Sequence, residues 1–367
     1  MSSKRKSPDF VLFITVMCLL VIGMVMVLSA SEYKTLVYYN DSFYYFKRQL
    51  LWSVLGLIGM FYMINFDYKR LRQYITPILA IAFILLVLVL IPGVGVEVND
   101  ATRWIGVGPI QFAPAELVKL CIIIFTAYGL SRSRGRIKSF TAGVLPYMVV
   151  MGLAALLILL QPDLGTALSL AGIVIVMVFA AGARPSHLIT VVAAGFAAVV
   201  PLIALEPYRL KRLMAFLDPW ADPQETGFHI IQGLYAIGSG GLFGLGLGQS
   251  KQKFLYLPEN HTDFIFAIIG EELGFIGATL VIMLFLLFIW RGLKIAIASP
   301  DPFASLLATG ITAWVGVQAF INIGVVTGSL PITGITLPFI SFGGTSLLFT
   351  LVAVGILLNI SRFTTTR

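Results

Sequence analysis

Ten apolar stretches follow one another along this chain, and they restrict its fold more than any other feature. They cover approximately residues 11–30, 50–66, 74–92, 110–130, 142–160, 164–183, 187–205, 263–290, 303–327 and 337–360. A helix of roughly 17–25 apolar residues is long enough to cross the hydrocarbon core of a bilayer. Since no water is available there, backbone polar groups must bond within the segment, which favours helices. We predict one all-α membrane domain over residues 1–367, a polytopic bundle of about ten transmembrane helices.

The composition agrees with this fold class. Hydrophobic residues make up 58% of the chain, charged residues make up 11%, and the mean hydropathy is +0.95. Soluble domains contain about 25% charged residues. Cys18 and Cys121 both lie within apolar stretches, so they indicate neither a disulfide nor a metal framework. The net charge of +8 is typical of basic loops beside anionic membrane lipid, and no nucleic acid partner is expected.

The positions of the basic residues predict the orientation. Lys4, Arg5 and Lys6 precede the first stretch, and Arg132, Arg134, Arg136 and Lys138 lie in one short loop. Short basic loops favour the cytoplasmic side, so we predict both termini in the cytoplasm. The longest loop, about 206–262, then lies outside the membrane. A loop of that length in a compact protein usually has a function.

The segment 257–266 ends this outer loop and concentrates polar side chains beside an apolar stretch. It contains Glu259, His261, Thr262 and Asp263. Ionisable groups at the mouth of a membrane helix are costly, so this cluster is the main candidate for a functional site. Thr262 or Asp263 could instead cap the start of the next helix, which needs only one capping side chain.

Three other polar sites have a structural and a functional interpretation each. Glu116 and Lys119 are three residues apart and can pair on one helix face, either to fix packing or to provide charge under a substrate cavity. Asp163 lies in a tight turn, where it caps a helix or faces the site. Arg103 and Trp104 suit contacts to phosphate or sugar, although the Trp also fits an aromatic belt.

The remaining candidates lie in the long loop and after it. Residues 209–217, with Arg209 and Arg212, form a basic amphipathic segment suited to the headgroup layer or to packing on the bundle. The glycines of 238–248 predict tight turns and close backbone approach, because the βαβ unit of a dinucleotide site is missing. Lys251 and Lys253 follow, either as phosphate contacts or as solvated side chains. The segment 331–346, with Ser341, leads into a small-residue helix face for packing or for lining a cavity.

The spacing of the acidic residues restricts the chemistry. The paired carboxylates of a glycosidase lie roughly 5–9.5 Å apart. Asp263 and Glu272 on one unbroken helix would lie about 13 Å apart along its axis, so they do not form such a pair. One base suffices if the leaving group is already good, as in a lipid-linked pyrophosphate. Basic residues or a divalent cation then neutralise the departing charge.

Several motifs together resemble those of the SEDS family (shape, elongation, division and sporulation), which includes FtsW and RodA. The resemblance runs nearly end to end, and the opening residues look most like the branch of stage V sporulation protein E, close to FtsW. It is carried by Arg103–Ile105, Pro114–Lys119, Gln161–Thr166, Pro258–Phe266, Glu271–Gly274 and Gly334–Pro338.

The resemblance implies a peptidoglycan glycosyltransferase of the bacterial cytoplasmic membrane that polymerises lipid II. It also implies a class B penicillin-binding protein as partner. We assign Asp263 as the expected general base, and no tightly bound cofactor is expected. A requirement for a divalent cation, Mg or Mn, stays open. The expected substrate contacts are Arg103, Trp104, Glu116, Lys119, Asp163, Arg209, Arg212, Lys251, Lys253, Glu259, His261, Thr262 and Ser341.

Two alternatives belong to other functional classes. A lipid II flippase would use Glu116, Lys119 and the glycine-rich loop as a translocation path, but the inverted repeats typical of transporters are not visible. The second alternative is a non-catalytic scaffold for the penicillin-binding protein. In that case the carboxylate cluster would have no function.

Overall fold

The computed structural model describes residues 6–98, 101–107, 110–133, 135–204 and 206–364. These residues form twelve α-helices, and a π turn at Phe140–Val144 leads into the fifth. The helices are α1 Phe10–Tyr39, α2 Tyr44–Asn65, α3 Ile75–Val89, α4 Pro114–Arg132, α5 Leu145–Leu159, α6 Leu164–Ala180, α7 Pro185–Ala204, α8 Pro207–Leu217, α9 Phe228–Ser239, α10 Ile265–Ala298, α11 Pro302–Val326 and α12 Gly344–Ser361.

The predicted all-α membrane fold is confirmed. Six helices in the described residues are long and apolar enough to cross a membrane: α1, α4, α5 with its π turn, α10, α11 and α12. Three shorter apolar segments lie in α3, α6 and α7. Together with α2, these helices overlap all ten predicted stretches, and the number that crosses the bilayer stays a prediction.

The bundle is closed by contacts between helices that are distant in sequence. Helix α12 packs mainly on α2, α10 packs on α11, and α11 also lies against α4 and α6. Asn359 of α12 donates from Nδ2 to the backbone oxygen of Ile64 at 2.6 Å. Polar side chains of this kind hold helices together where lipid and protein are equally apolar.

A small sheet between α3 and α4 was not predicted. Strands β1 Gly95–Val98, β2 Ala101–Val107 and β3 Ile110–Phe112 pair antiparallel in the order β1-β2-β3. The predicted stretch 110–130 therefore begins as a strand, and its helix starts only at Pro114. The alternation of Val94, Val96 and Val98 was a strand signal, but it is too short to stand out beside long apolar stretches.

The predicted outer loop contains two helices, α8 and α9, and its glycine-rich segment lies along α10. Gly274 interrupts that helix with a φ of 67°. The freed carbonyl groups of Glu271 and Glu272 accept from Leu245 N at 2.9 Å and Gly246 N at 3.0 Å. Each residue of a helix adds 1.5 Å, so this contact lies roughly 10 Å beyond the start of α10.

Close backbone approach explains the glycines of this segment. A Cβ atom on Gly244 would lie 2.1 Å from the backbone oxygen of Glu272, and the φ of Gly244 is +83°. Non-helical backbone beside a membrane helix is tolerated only when its polar groups are satisfied. The glycines thus allow the loop to bond to the interrupted helix directly, as the sequence predicted.

Candidate active site at the start of helix α10

Asp263 lies in the turn before α10 and does not cap that helix. The residue preceding the helix is Phe264, and no side-chain hydrogen bond caps this end. The capping interpretation of Thr262 and Asp263 is therefore wrong. The turn is held by Glu259, whose backbone oxygen accepts from Thr262 N and from Phe264 N, both at 3.2 Å. The Asp263 carboxylate therefore makes no capping hydrogen bond to the helix backbone.

The Asp263 carboxylate lies beside Gly334 and Arg103. A Cβ atom on Gly334 would lie 3.5 Å from Asp263 Oδ2 and 4.0 Å from Arg103 Nη1. In the part of the chain that the structure describes, no side chain donates a hydrogen bond to this carboxylate. The bond that anchors Asp263 is made at its backbone oxygen, which accepts from Asn322 Nδ2 at 2.7 Å.

Burial raises the pKa of Asp263 to about 7, and the negative charge of Glu259 adds to this rise. The positive charges of Arg103 and Arg212 oppose it. A carboxyl group with a pKa near neutrality is well matched to proton transfer at physiological pH. Asp263 is thus a candidate general base with cationic side chains nearby.

Arg103 joins strand β2 to the start of α6. Its Nη2 donates to the backbone oxygen of Pro162 at 2.6 Å, and its Nε lies 3.6 Å from Asp163 Oδ2. Asp163 also caps α6, since its carboxylate accepts from the backbone N and from Oγ1 of Thr166, both at 2.9 Å. Asp163 therefore caps a helix and lies beside Arg103, and its contact with a substrate stays a prediction. Trp104, the next residue, is half-buried and pairs with Val96 of β1.

Glu259 and His261 face the first two helices. The Glu259 carboxylate lies 3.7 Å from Lys34 Nζ and accepts from Thr262 Oγ1 at 2.8 Å. Burial opposes ionisation, but Lys34 and the other neighbours hold the pKa of Glu259 below its usual value. His261 is buried against the ring of Tyr45 at 4.4 Å, and burial lowers its pKa to about 4. His261 is therefore neutral at physiological pH.

Ser341 links the loop of residues 331–343 to the turn that contains Asp263. Its hydroxyl is buried, donates to the backbone oxygen of Thr262 at 2.6 Å and accepts from Leu337 N at 2.8 Å. Phe342 N donates to the backbone oxygen of His261 at 2.9 Å. These bonds position the turn. The Ser341 hydroxyl therefore supports the turn and is not exposed.

Among the four basic loop residues, Arg212 approaches the cluster and the chain beside it. Arg212 donates to the backbone oxygen of Ile332 at 3.4 Å, next to Gly334, and its charge acts on Asp263. Arg209 lies on the same helix, α8. Lys253 is buried and donates to the backbone oxygen of Gly248 at 2.7 Å, whereas the Lys251 side chain is exposed.

Glu116 and Lys119 form the expected pair, but they lie inside the bundle. Lys119 Nζ donates to Glu116 Oε1 at 2.7 Å and lies 5.2 Å from the ring centre of the buried Trp314. The second carboxylate oxygen of Glu116 is buried and accepts no hydrogen bond from the residues that the structure describes. The pair connects α4 to α11, and the contacts described above for Asp263 do not include it.

Sequence reasoning missed three residues that build the site. Lys34 pairs with Glu259, Asn322 holds the backbone of Asp263, and Gln49 Nε2 donates to the backbone oxygen of Ser341 at 3.1 Å. Asn322 and Gln49 are polar residues within long helices, and that rarity was the signal that could have identified them. Among the described residues, no three His, Cys, Asp or Glu lie close enough to hold a metal ion. The requirement for a divalent cation stays a prediction.

The FtsW/RodA/SpoVE family model, described as a cell cycle protein, matches residues 10–366 of this chain. The chain belongs to this family. Stage V sporulation protein E of Bacillus subtilis (strain 168) is 50% identical over 363 residues, which cover 99% of both chains. A protein named probable peptidoglycan glycosyltransferase FtsW, from Geobacter metallireducens, is 44% identical over 96% of this chain and 94% of its own length.

Solved structures share the fold of this FtsW/RodA/SpoVE protein. A chain from a peptidoglycan synthase complex, described as coordinating polymerization and crosslinking, matches with a TM-score of 0.79 and 32% identity. That match covers 97% of this chain and 98% of the other. RodA of Thermus thermophilus, a rod shape determining protein, matches with a TM-score of 0.72 and 30% identity over 98% of each chain.

Within this FtsW/RodA/SpoVE protein, the cluster at the start of α10 combines three properties. Asp263 can accept a proton near neutral pH, Arg103 and Arg212 supply positive charge beside it, and Gly334 leaves room above its carboxylate. A base and a cationic partner at the end of a membrane helix suit a reaction on the headgroup of a lipid-anchored substrate.

Proposed function

We propose that this protein is a peptidoglycan glycosyltransferase that polymerises lipid II at the outer face of the cytoplasmic membrane. The observation that carries the proposal is the Asp263 carboxyl group, which has a pKa of about 7, no hydrogen-bond donor among the described residues and two arginines nearby. The relatives named as peptidoglycan glycosyltransferases support the same reaction. In this proposal both termini are cytoplasmic, and α10 begins at the outer face.

Asp263 accepts the proton of the acceptor GlcNAc 4-hydroxyl as its oxygen attacks C1 of the donor MurNAc. The new C1–O4 bond forms while the bond from C1 to the phosphate oxygen breaks. Undecaprenyl pyrophosphate leaves with the bonding electron pair, so the α-linked donor gives a β-1,4 bond by inversion. General-base assistance is typically worth ~10²–10⁴ in rate.

Positive charge near the leaving group completes this scheme. Arg103 and Arg212 act on Asp263 from the side of β2 and of the 331–343 loop, where the departing pyrophosphate would lie. Cations preorganised at such a position stabilise the charge that develops in the transition state. A divalent cation bound with the pyrophosphate would add to them.

The proposed partner is a class B penicillin-binding protein, which would crosslink the strands that this chain polymerises. The similarity to a chain of a peptidoglycan synthase complex supports an assembly of this kind.

The test uses purified full-length chain with labelled lipid II in detergent, with and without the cognate penicillin-binding protein and divalent ion. Wild type should produce glycan polymer, and Asp263→Asn should not. Asp41→Asn is the matched control, because Asp41 is an acidic residue paired with Lys47 away from the cluster.

The outcomes separate the alternatives. Detergent removes the two compartments that a flippase needs, so polymer formation there supports the enzyme. Absence of polymer even with the partner would contradict the proposed activity and favour a flippase or a scaffold. Polymer from a folded Asp263→Asn variant would instead contradict only the role of Asp263.

A further inference from the structure

A cavity of about 260 Å³ lies at the opposite end of α10, among the segment before α1, the second half of α10 and the end of α12. Its lining includes Lys6, Asp9, Phe10, Arg291 and Lys294. None of these residues belongs to the candidate active site. At this end of the bundle the first and last described segments of the chain lie close together, since Lys6 N donates to the backbone oxygen of Arg362 at 3.1 Å.

The cavity carries an excess of positive charge. Arg291 pairs with Asp9, and both side chains are mostly buried, so these two charges compensate each other. Lys6 and Lys294 have no carboxylate within 4 Å among the described residues. Lys6 Nζ donates to the backbone oxygen of Thr364 at 3.1 Å, and Lys294 Nζ lies 5.6 Å from the ring centre of Trp290.

The helix ends change this balance only slightly. Helix α1 begins at the cavity, whereas α10 and α12 end there. Each helix end contributes roughly half an elementary charge, positive at the start and negative at the end. The three ends together add about −0.5, which is much smaller than the two unpaired lysine charges. The cavity therefore favours an anion.

Apolar side chains on the outer surface adjoin the cavity. The exposed fractions are 72% for Phe10, 57% for Trp290 and 86% for Ile297. Trp is enriched where a membrane helix meets the headgroup layer, and the charged side chains lie at the same level. An anion bound here would thus have both a basic cavity and a hydrocarbon-facing surface beside it.

From this arrangement we infer that the cavity binds the phosphate group of an anionic phospholipid. Lys6 and Lys294 contact the phosphate, and the acyl chains lie along Trp290 and the outer face of α10. A zwitterionic headgroup fits less well, because its own cation would face the two lysines. A soluble phosphate would leave the exposed apolar surface uncovered.

The test is native mass spectrometry of the full-length chain in detergent, titrated with phosphatidylglycerol or with phosphatidylcholine. Wild type should retain phosphatidylglycerol with a preference on the order of tenfold. The variant Lys6→Gln/Lys294→Gln should lose this preference. The matched control Lys69→Gln/Lys138→Gln removes two exposed lysines from loops outside the cavity and should keep it.

Three results would overturn the inference. Equal retention of the two lipids by wild type would show that no local site exists, and so would a loss of preference in the control as large as that in the cavity variant. Displacement of the lipid by excess glycerol 3-phosphate would show that the site takes a soluble phosphate instead. If the double variant does not fold, the single variants Lys6→Gln and Lys294→Gln provide the test. Each should lose part of the preference.

Discussion

Acidic side chains just before α10 and within it have opposite surroundings. Asp263, just before the helix, receives no side-chain hydrogen bond among the described residues and has a pKa of about 7. Glu271 and Glu272, inside the helix, are buried and fully occupied. Ser250 Oγ and Lys251 N donate to Glu271, while Ser29 Oγ donates to Glu272 at 2.7 Å.

Our proposal that Asp263 is the reactive carboxylate, and that Glu271 and Glu272 are structural, rests on this difference. Donors that occupy both oxygens fix a carboxylate and leave no place for a substrate proton. Glu271 and Glu272 therefore hold the glycine-rich segment and α1 against α10. Asp263 keeps its oxygens available at the end of the same helix. The four predictions below test this division, from the largest expected effect to the smallest.

Replacement of Asp263 by Asn should lower the polymerisation rate by ~10²–10⁴, because the base is lost. The folded state holds the Asp263 proton more tightly than the unfolded chain, whose value is near 3.8. Ionisation of Asp263 therefore costs stability as the pH rises from 3.8 through 7, and neutral Asn removes that cost. The melting temperature at pH 8 should equal or exceed that of wild type. Parallel loss of activity and melting temperature would mean that Asp263 is structural.

Replacement of Glu272 by Ala should lower stability by about 1–3 kcal/mol, because Ser29 Oγ and Ser250 N lose their buried acceptor. Activity per folded molecule should stay within a few-fold of wild type. Thermal melting followed by circular dichroism measures the first quantity. The control is Glu32→Ala, which removes a mostly exposed carboxylate. Its free energy of unfolding should stay within about 0.5 kcal/mol of the wild-type value. A Glu272→Ala protein with normal melting and no catalysis would contradict the division.

The polymerisation rate should fall about tenfold between pH 8 and pH 6, because protonation of Asp263 removes the base. Glu259 and His261 do not produce this change. The pKa of Glu259 lies below its usual value, and that of His261 is about 4, so neither titrates in this window. Initial rates with saturating lipid II measure the profile. A flat profile over this range would exclude Asp263 as the titrating base.

Two neighbours of Asp263 should move this profile in opposite directions by less than about one pH unit, because solvent screens partly exposed charges. Arg103→Gln removes a positive charge and should raise the midpoint. Glu259→Gln removes a negative charge and should lower it. The same rate measurements, compared with Asp41→Asn, give both shifts. Shifts in the same direction for both variants would indicate a change of structure rather than of charge.

The candidate site was partly predictable because polar residues are costly in a membrane and stand out. Asp263, Glu259 and Arg103 were all identified in this way, and the structure places them in one cluster. The same reasoning did not predict that Ser341 and Lys253 are buried and donate hydrogen bonds to backbone oxygens. A side chain that binds a ligand and one that binds a distant backbone oxygen are identical in sequence.

The sequence by itself determined the membrane fold and the region of the site. Long apolar stretches are stable in a bilayer as helices. The ionisable segment 257–266 lies where a long loop meets such a stretch, so its charged side chains can reach water. The tertiary structure alone decided which carboxylate is left without side-chain hydrogen-bond donors among the described residues. Asp263 and Glu272 are both carboxylic acids, and their hydrogen bonding differs because Ser29 Oγ and Ser250 N donate to Glu272, whereas no side chain among the described residues donates to the Asp263 carboxylate. Contacts between residues more than two hundred positions apart follow from packing, which no local pattern records.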